Sequence, residues 1–201
     1  EQTYAILGKI LFHLGYRKTA KKILVNIVTK YPESYKGHKY LAELYEREGG
    51  MRRSIDEYVK AIDIRKNDYD SYYKIAELLN GLSQKEEAVT MLNNLLRKKP
   101  DFYKASNLLG ELLIENQKYK EATNVYLDAL KYRPADYEMY YNLGITYTML
   151  NDFQNAESAY KRAAQINHLK YNTSYTLGQI ALICDEIEKA EKYFTEALYG
   201  E

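Results

Sequence analysis

A histidine set beside a carboxylate or a thiol is the usual beginning of metal binding or nucleophilic catalysis. His13, His38, His168 and Cys184 are the residues of this chain with that capacity. None of the histidines stands at metal-ligand spacing from a Cys, Asp or Glu, and no glycine run has the pattern that cradles a phosphate. Cys184 closes the apolar stretch Ile180-Ala181-Leu182-Ile183 and reads as a buried, inert thiol. As the only cysteine it can form no intrachain disulfide, so it leaves the compartment open. No catalytic residue, cofactor or metal site is expected here.

The charge balance narrows the partners. Lys and Arg number 29 against 28 Asp and Glu, for a formal net charge of +1. A dedicated nucleic-acid binder ordinarily shows a marked basic excess, so no nucleic acid is expected. No apolar run approaches the length of a bilayer span and no signal segment opens the chain, so no membrane insertion is expected within it. Hydrophobic residues make up 46% of the chain, ample for a core.

What must position any functional side chain is a repeat of 34 residues that runs without a slip. Its units are 1–34, 35–68, 69–102, 103–136, 137–170 and 171–201, read as one array across 1–201. The seventh place holds Leu7, Leu41, Ile75, Leu109, Leu143 and Leu177. Only small residues fill the eighth: Gly8, Ala42, Ala76, Gly110, Gly144 and Gly178. The twentieth is Ala or Ser throughout, and the twenty-fourth is always bulky: Leu24, Tyr58, Leu92, Tyr126, Tyr160 and Phe194. A fixed period of this length describes a solenoid in which each unit touches its neighbours.

Each unit reads as two amphipathic helices joined by a short turn. In the fifth, Tyr140, Leu143, Gly144 and Tyr147 keep helical spacing, Asn151-Asp152 breaks it, and Phe153, Ala156, Tyr160 and Ala163 resume it. Gly15 and Gly49-Gly50 are the breaks of the first two units. Ser34, Asp68 and Asp136 are expected to cap first helices through a side-chain oxygen, and Pro32, Pro100 and Pro134 to stop second ones. The small eighth and twentieth places let the paired helices approach closely, and the bulky twenty-fourth is expected to fill the gap towards the next unit. Tyr35, Tyr69, Tyr103, Tyr137 and Tyr171 open their units and are expected to pack on the end of the preceding second helix. His38 takes a place held by Tyr in three other units, which reads as packing. Basic residues gather near the ends of second helices (Lys30, Arg65, Lys66, Arg97, Lys98, Lys99, Lys131 and Arg133), where they complement the helix dipole.

The run Tyr140-Tyr141-Asn142-Leu143-Gly144, with Tyr147, Ala156, Tyr160 and Ala163 after it, resembles the tetratricopeptide repeat consensus, and the resemblance covers the entire chain. It implies an all-α, right-handed superhelical solenoid of antiparallel helix pairs, with first helices lining a concave groove. It also implies binding of peptides or partner proteins. By analogy with the family, the groove-facing places hold Lys39, Glu43, Tyr73, Glu77, Asn107, Glu111, Tyr141, Ile145, Tyr175 and Gln179. Tyr73, Tyr141 and Tyr175 share the fifth place and form the expected ladder, since a tyrosine offers large contact area and one polar tip. One variant of the family grips C-terminal carboxylates with two lysines, an arginine and two asparagines. Lys39 and Lys104 match that pattern, but Glu43, Lys74 and Leu108 depart from it, and a carboxylate at Glu43 would repel the ligand.

The expected function is therefore a non-enzymatic scaffold or adaptor that binds a partner segment in its groove. Two rivals stand beside it: a homotypic module that stacks through its ends or convex face, and a recruiting arm for a catalytic domain elsewhere. Ile187, Ala190, Phe194, Ala197 and Leu198 on the last helix are read as an uncovered face. With no initiating Met and a final Glu201, the chain is expected to be a piece of a longer protein, for which a bacterial envelope or motility assembly is a plausible setting.

Overall fold

The structure of the protein, a computed structural model, describes residues 1–166 and 170–199, with the side chains of 170–172 excluded. His168, Glu201 and the side chains of Tyr171 and Asn172 lie outside the described residues. The described residues form twelve helices: α1 (Gln2–His13), α2 (Arg17–Lys30), α3 (Tyr35–Arg47), α4 (Met51–Ile64), α5 (Tyr69–Gly81), α6 (Lys85–Lys98), α7 (Tyr103–Glu115), α8 (Tyr119–Leu130), α9 (Tyr137–Met149), α10 (Phe153–Ile166), α11 (Lys170–Ile183) and α12 (Ile187–Tyr199). They fall into two compact units, Glu1–Arg97 and Lys98–Glu201.

Every helix pair closes through the same three-residue turn. The residue at its fifteenth place is left-handed in all six repeats: Gly15 at φ +89°, Gly49 at +79°, Ser83 at +61°, Gln117 at +59°, Asn151 at +57° and Asp185 at +61°. The N–H one place further on reaches back to the carbonyl of the eleventh place, as in Gly50 to Tyr45 at 2.8 Å and Lys118 to Leu113 at 2.8 Å. This hydrogen-bonded stop needs a left-handed residue, which glycine supplies most cheaply. Ser83 and Gln117 meet the requirement with a Cβ that clashes with the following carbonyl. Gln117→Gly is therefore expected to raise the stability by about 0.5–1 kcal/mol, read as a higher midpoint in urea.

The helices of a pair run antiparallel, because contacts join early places to late ones. Leu24 lies over Gly8, Tyr160 over Gly144 and Phe194 over Gly178, each so close that a Cβ built on the glycine would sit 2.7–2.8 Å from the partner side chain. Gly110 faces Tyr126 in the same way and more tightly. The twenty-fourth place thus fills the space above the eighth place of its own repeat and, as expected, also packs towards the next one, Leu24 against Leu41 and Leu44 and Tyr160 against Leu177 and Ile180. The first contact arises because the small residue opens a trough that the partner helix is near enough to fill.

The next repeat is added through the seventh and tenth places. In the first unit Ala20 and Leu24 of α2 form a core with Leu41 and Leu44 of α3, flanked by Val28. The second unit repeats this with Ala156 and Tyr160 of α10 against Leu177 and Ile180 of α11.

Caps divide by chemistry. Ser34 accepts from the Gly37 N–H at 3.3 Å and Asp136 from the Met139 N–H at 3.2 Å. Asp68 makes no such bond to its helix, correcting the expected cap, because its carboxylate is taken by side chains.

Candidate functional site

In the first unit Lys39, Glu43 and Glu77, expected to face a partner, are engaged with other side chains of the unit. Asp68 draws three donors inward: the Tyr35 hydroxyl at 2.7 Å, the Ser71 hydroxyl at 2.5 Å, and the Lys39 ammonium at 2.9 and 3.1 Å to its two oxygens. Burial pushes the Asp68 carboxyl up, but these hydrogen bonds outweigh it and hold it below the ordinary carboxylate range. Burial lowers Lys39, and the same bonds more than reverse that. Lys39 is thus a structural cation. Glu43 pairs with Lys9 at 3.2 Å. Glu77 pairs with Lys74 at 2.9 Å, and Lys74 also reaches Glu46 at 3.2 Å. Tyr73 is half-buried on α5.

Tyr35, one of the tyrosines that open a repeat, also has a partner in its own repeat. Its ring lies under Arg65, 4.4 Å from the guanidinium carbon, and Tyr103 lies likewise under Arg133 at 4.0 Å. Both arginines follow the second helix of the same repeat, not the preceding one, since antiparallel pairing sets the start of one helix beside the end of its partner. Arg65, Lys66, Lys131 and Arg133 lie past the helix ends at Ile64 and Leu130. Their partners are rings and carboxylates: Lys66 pairs with Asp63 at 2.8 Å, and Arg133 with Asp136 at 3.2 Å.

In the second unit the expected residues are more available. Glu111 on α7 and Tyr175 and Gln179 on α11 are exposed, while Asn107, Tyr141 and Ile145 are half-buried. The Asn107 amide donates to Glu138 at 3.1 Å and so ties α7 to α9. Glu111 has its carboxyl pushed up by burial first, then by the charges of Glu138 and Glu115. Tyr141 stacks on Tyr137 at 5.9 Å and meets the edge of Tyr160 at 5.3 Å, and Ile145 packs beside it on the same core. Tyr175 leans on Phe194 at 5.5 Å and keeps 53% of its surface. Tyr141 and Tyr175 thus each lean on neighbouring rings of the second unit.

Two chemistry-bearing residues stand differently from expectation. His38 is buried, as packing predicts, but both ring nitrogens are engaged: Nδ1 with Glu57 at 2.5 Å and Nε2 with the Pro32 carbonyl at 2.8 Å. Glu57 also accepts from Lys60 at 2.7 Å. Burial raises its carboxyl, and the bonds from His38 and Lys60 prevail and keep it below its ordinary value. Cys184 is exposed, which corrects the reading of a buried thiol. The helix ends at Ile183, so the cysteine sits in the turn, off the apolar face. It is expected to react fully with a thiol reagent in the native state, at a rate within severalfold of the denatured chain, measured by absorbance with a chromogenic disulfide.

Among the described residues no group of three or more His, Cys, Asp or Glu could hold a metal ion. No helix among them is long and apolar enough to cross a membrane.

Comparison with known proteins agrees with this architecture. Tetratricopeptide repeat models match residues 73–127, 111–167 and 171–199. The sequence matches no curated protein. Among solved structures, MamA of Desulfovibrio magneticus RS-1 is similar with a TM-score of 0.72 at 23% identity, over 82% of this chain and 93% of that one. PilF of Pseudomonas aeruginosa gives 0.70 at 18% identity, over 98% and 91%. YrrB, described as a TPR protein with an unusual peptide-binding site, gives 0.68 at 16% identity, over 91% and 90%.

Proposed function

This chain belongs to the tetratricopeptide repeat family, and from that membership we propose that it is a non-catalytic scaffold which holds a segment of a partner protein. The segment would lie against the first helices of the second unit, on Asn107 and Glu111 of α7, Tyr141 and Ile145 of α9, and Tyr175 and Gln179 of α11. The observation that carries this choice is the contrast between the units. Lys39, Glu43 and Glu77 are engaged in ion pairs of the first unit, whereas Glu111, Tyr175 and Gln179 are exposed. Tyr73, half-buried on α5 of the first unit, stays a separate candidate contact.

The surface offers one large aromatic, one amide and one carboxylate on rigid helices, so little ordering entropy is lost by the scaffold on binding. A carboxylate already pushed up by burial and by the charges of Glu138 and Glu115 favours a segment that brings a positive charge or a hydrogen-bond donor. Selection from a displayed peptide library, followed by titration of the recovered peptides, tests the reading. The Tyr175→Ala, Gln179→Ala, Glu111→Ala variant is expected to bind at least about tenfold more weakly, equivalent to about 1.4 kcal/mol, with unchanged helicity. Unchanged affinity would place binding elsewhere, and a library that yields no binder would remove the peptide-scaffold reading.

A further inference from the structure

One change within the repeat leaves the hydroxyl of Tyr126 without a partner. In repeat two the corresponding Tyr58 donates to Glu46 at 3.3 Å. Repeat four has Ile114 in the place of Glu46, and an aliphatic chain accepts nothing. Tyr126 is fully buried, and its hydroxyl completes no hydrogen bond. It lies against Gly110 of α7, the residue before Glu111 and one turn on from Asn107. Burial first, and then the charge of Glu111, push it up, while the Asn142 amide of α9 pulls the other way. The hydroxyl thus reaches from α8 to the border between α7 and α9.

A second acceptor on that border is also unsatisfied. Asn107 Nδ2 donates to Glu138 at 3.1 Å, which fixes the orientation of the amide. Its Oδ1 is buried and has no hydrogen-bond partner. Negative charge gathers beside it without compensation. The ninth places of repeats two and three, Glu43 and Glu77, are paired with Lys9 and Lys74. Glu111 holds the ninth place of repeat four, and the charges that act on it are those of Glu138 and Glu115, with no cation among them. A buried acceptor left unmade costs more than a formed bond returns, so the border lacks a donor that carries positive charge.

The chemistry of that donor can be narrowed. A metal ion does not suit, because among the described residues no three His, Cys, Asp or Glu could hold one. A guanidinium presents a rigid planar fork that matches one carboxylate, whereas an ammonium directs separate donors from a single point. The acceptors here are separate: Glu111 and Asn107 on α7, Tyr126 on α8 and Glu138 on α9. Resting on the reading that the second unit holds a partner segment, we infer that this border is a lysine subsite. Glu111 and Glu138 hold the ammonium of a lysine in the bound segment, and Asn107 Oδ1 and Tyr126 Oη accept its remaining N–H bonds. Asn107 is only half-buried and both glutamates are exposed, so small rotations of these side chains open the two acceptors to it.

The test uses the whole chain and a displayed library of random peptides. Peptides recovered on the wild type are expected to share a lysine at one aligned position. Replacing that lysine with norleucine is expected to weaken binding at least about tenfold. The Glu111→Gln, Glu138→Gln variant should lose the same factor for the lysine peptide and nothing for its norleucine form. Tyr126→Phe separates a binding role from a structural one. It is expected to raise the urea midpoint, because an orphaned hydroxyl leaves the core, and yet to weaken the lysine peptide about fivefold. A peptide set in which lysine is not enriched, or in which arginine serves equally well, overturns the lysine subsite and leaves the partner-segment reading standing. So does a glutamine variant, or Tyr126→Phe, that binds the lysine peptide as the wild type does. Recovery of no peptide at all overturns both.

Discussion

Replacing Asp68 with alanine is expected to destabilise the first unit by about 3 kcal/mol, the larger of the two electrostatic effects available in that unit. The side chain is 5% exposed and accepts from Tyr35, Ser71 and Lys39 together. Removal leaves two hydroxyls and a largely covered ammonium without their acceptor, and an unpartnered buried charge costs far more than an exposed pair contributes. Lys39 keeps 20% exposure of its side chain, so some water reaches it and the loss stays at the lower end of the range for broken buried pairs. Lys39→Met is expected to cost less than Asp68→Ala, because two hydroxyl donors still satisfy the carboxylate. The order of the two, read from urea denaturation, distinguishes a carboxylate hub from a simple pair.

The same hub sets the acid limb of stability. Asp68 and Glu57 are both held below their ordinary values of 3.8 and 4.5 in the folded chain. Their contribution is therefore complete above those values and is lost as pH falls through the lower folded ones. Lys39, raised above 10.5, contributes below that value and loses its contribution as pH rises through the folded one. Stability is expected to be level between about pH 6 and 8 and to fall below about pH 4.5. Asp68→Asn should flatten that fall at the cost of lower stability at neutral pH. An acid limb of undiminished slope in Asp68→Asn would transfer the effect to other carboxylates.

Much of this fold was legible because the seam residues are fixed in place by the period. Leu41, Leu109 and Leu143 can be recognised as core from spacing alone, and Gly15 and Gly49 mark the turns by residue type. Ser83, Gln117 and Asp185 could not be recognised as turn residues by type, yet they stand at multiples of the period from Gly15. The backbone imposes the left-handed conformation there whatever the side chain. The candidate site was less legible. A groove position names a face, but whether Lys39 points to a partner or to Asp68 depends on a residue 29 positions away. His38 and Glu57, 19 residues apart, meet only because two helices fold back on each other. Cys184 misled because a helical apolar pattern does not show where the helix stops.

Gly110→Ala is expected to destabilise the second unit, although alanine is the better helix former by about 1 kcal/mol. The Tyr126 ring, itself fully buried, lies directly over Gly110, and a close-packed interior has no room for an added methyl there. Overpacking of this kind costs about 2–3 kcal/mol, so the net loss is about 1–2 kcal/mol, and Gly110→Val should reach about 3 kcal/mol. Repeat three shows how the chain resolves the same conflict: Ala76 takes the eighth place and Leu92 the twenty-fourth, both fully buried. Tyr126→Leu alone is expected to leave a void over Gly110 and cost about 2 kcal/mol. Combined with Gly110→Ala it recreates the pairing of repeat three, and the double variant should lose at least about 1 kcal/mol less than the sum of the singles. Repeat two adds a control, because Ala42 already coexists with a buried Tyr58 whose hydroxyl reaches Glu46 at 3.3 Å. If Gly110→Ala proves neutral, Tyr126 can shift as Tyr58 has, and the trough of the eighth place is a preference of packing that the repeat can relax. If it destabilises and Tyr126→Leu rescues it, the eighth and twenty-fourth places act as one unit whose joint volume the helix pair cannot exceed.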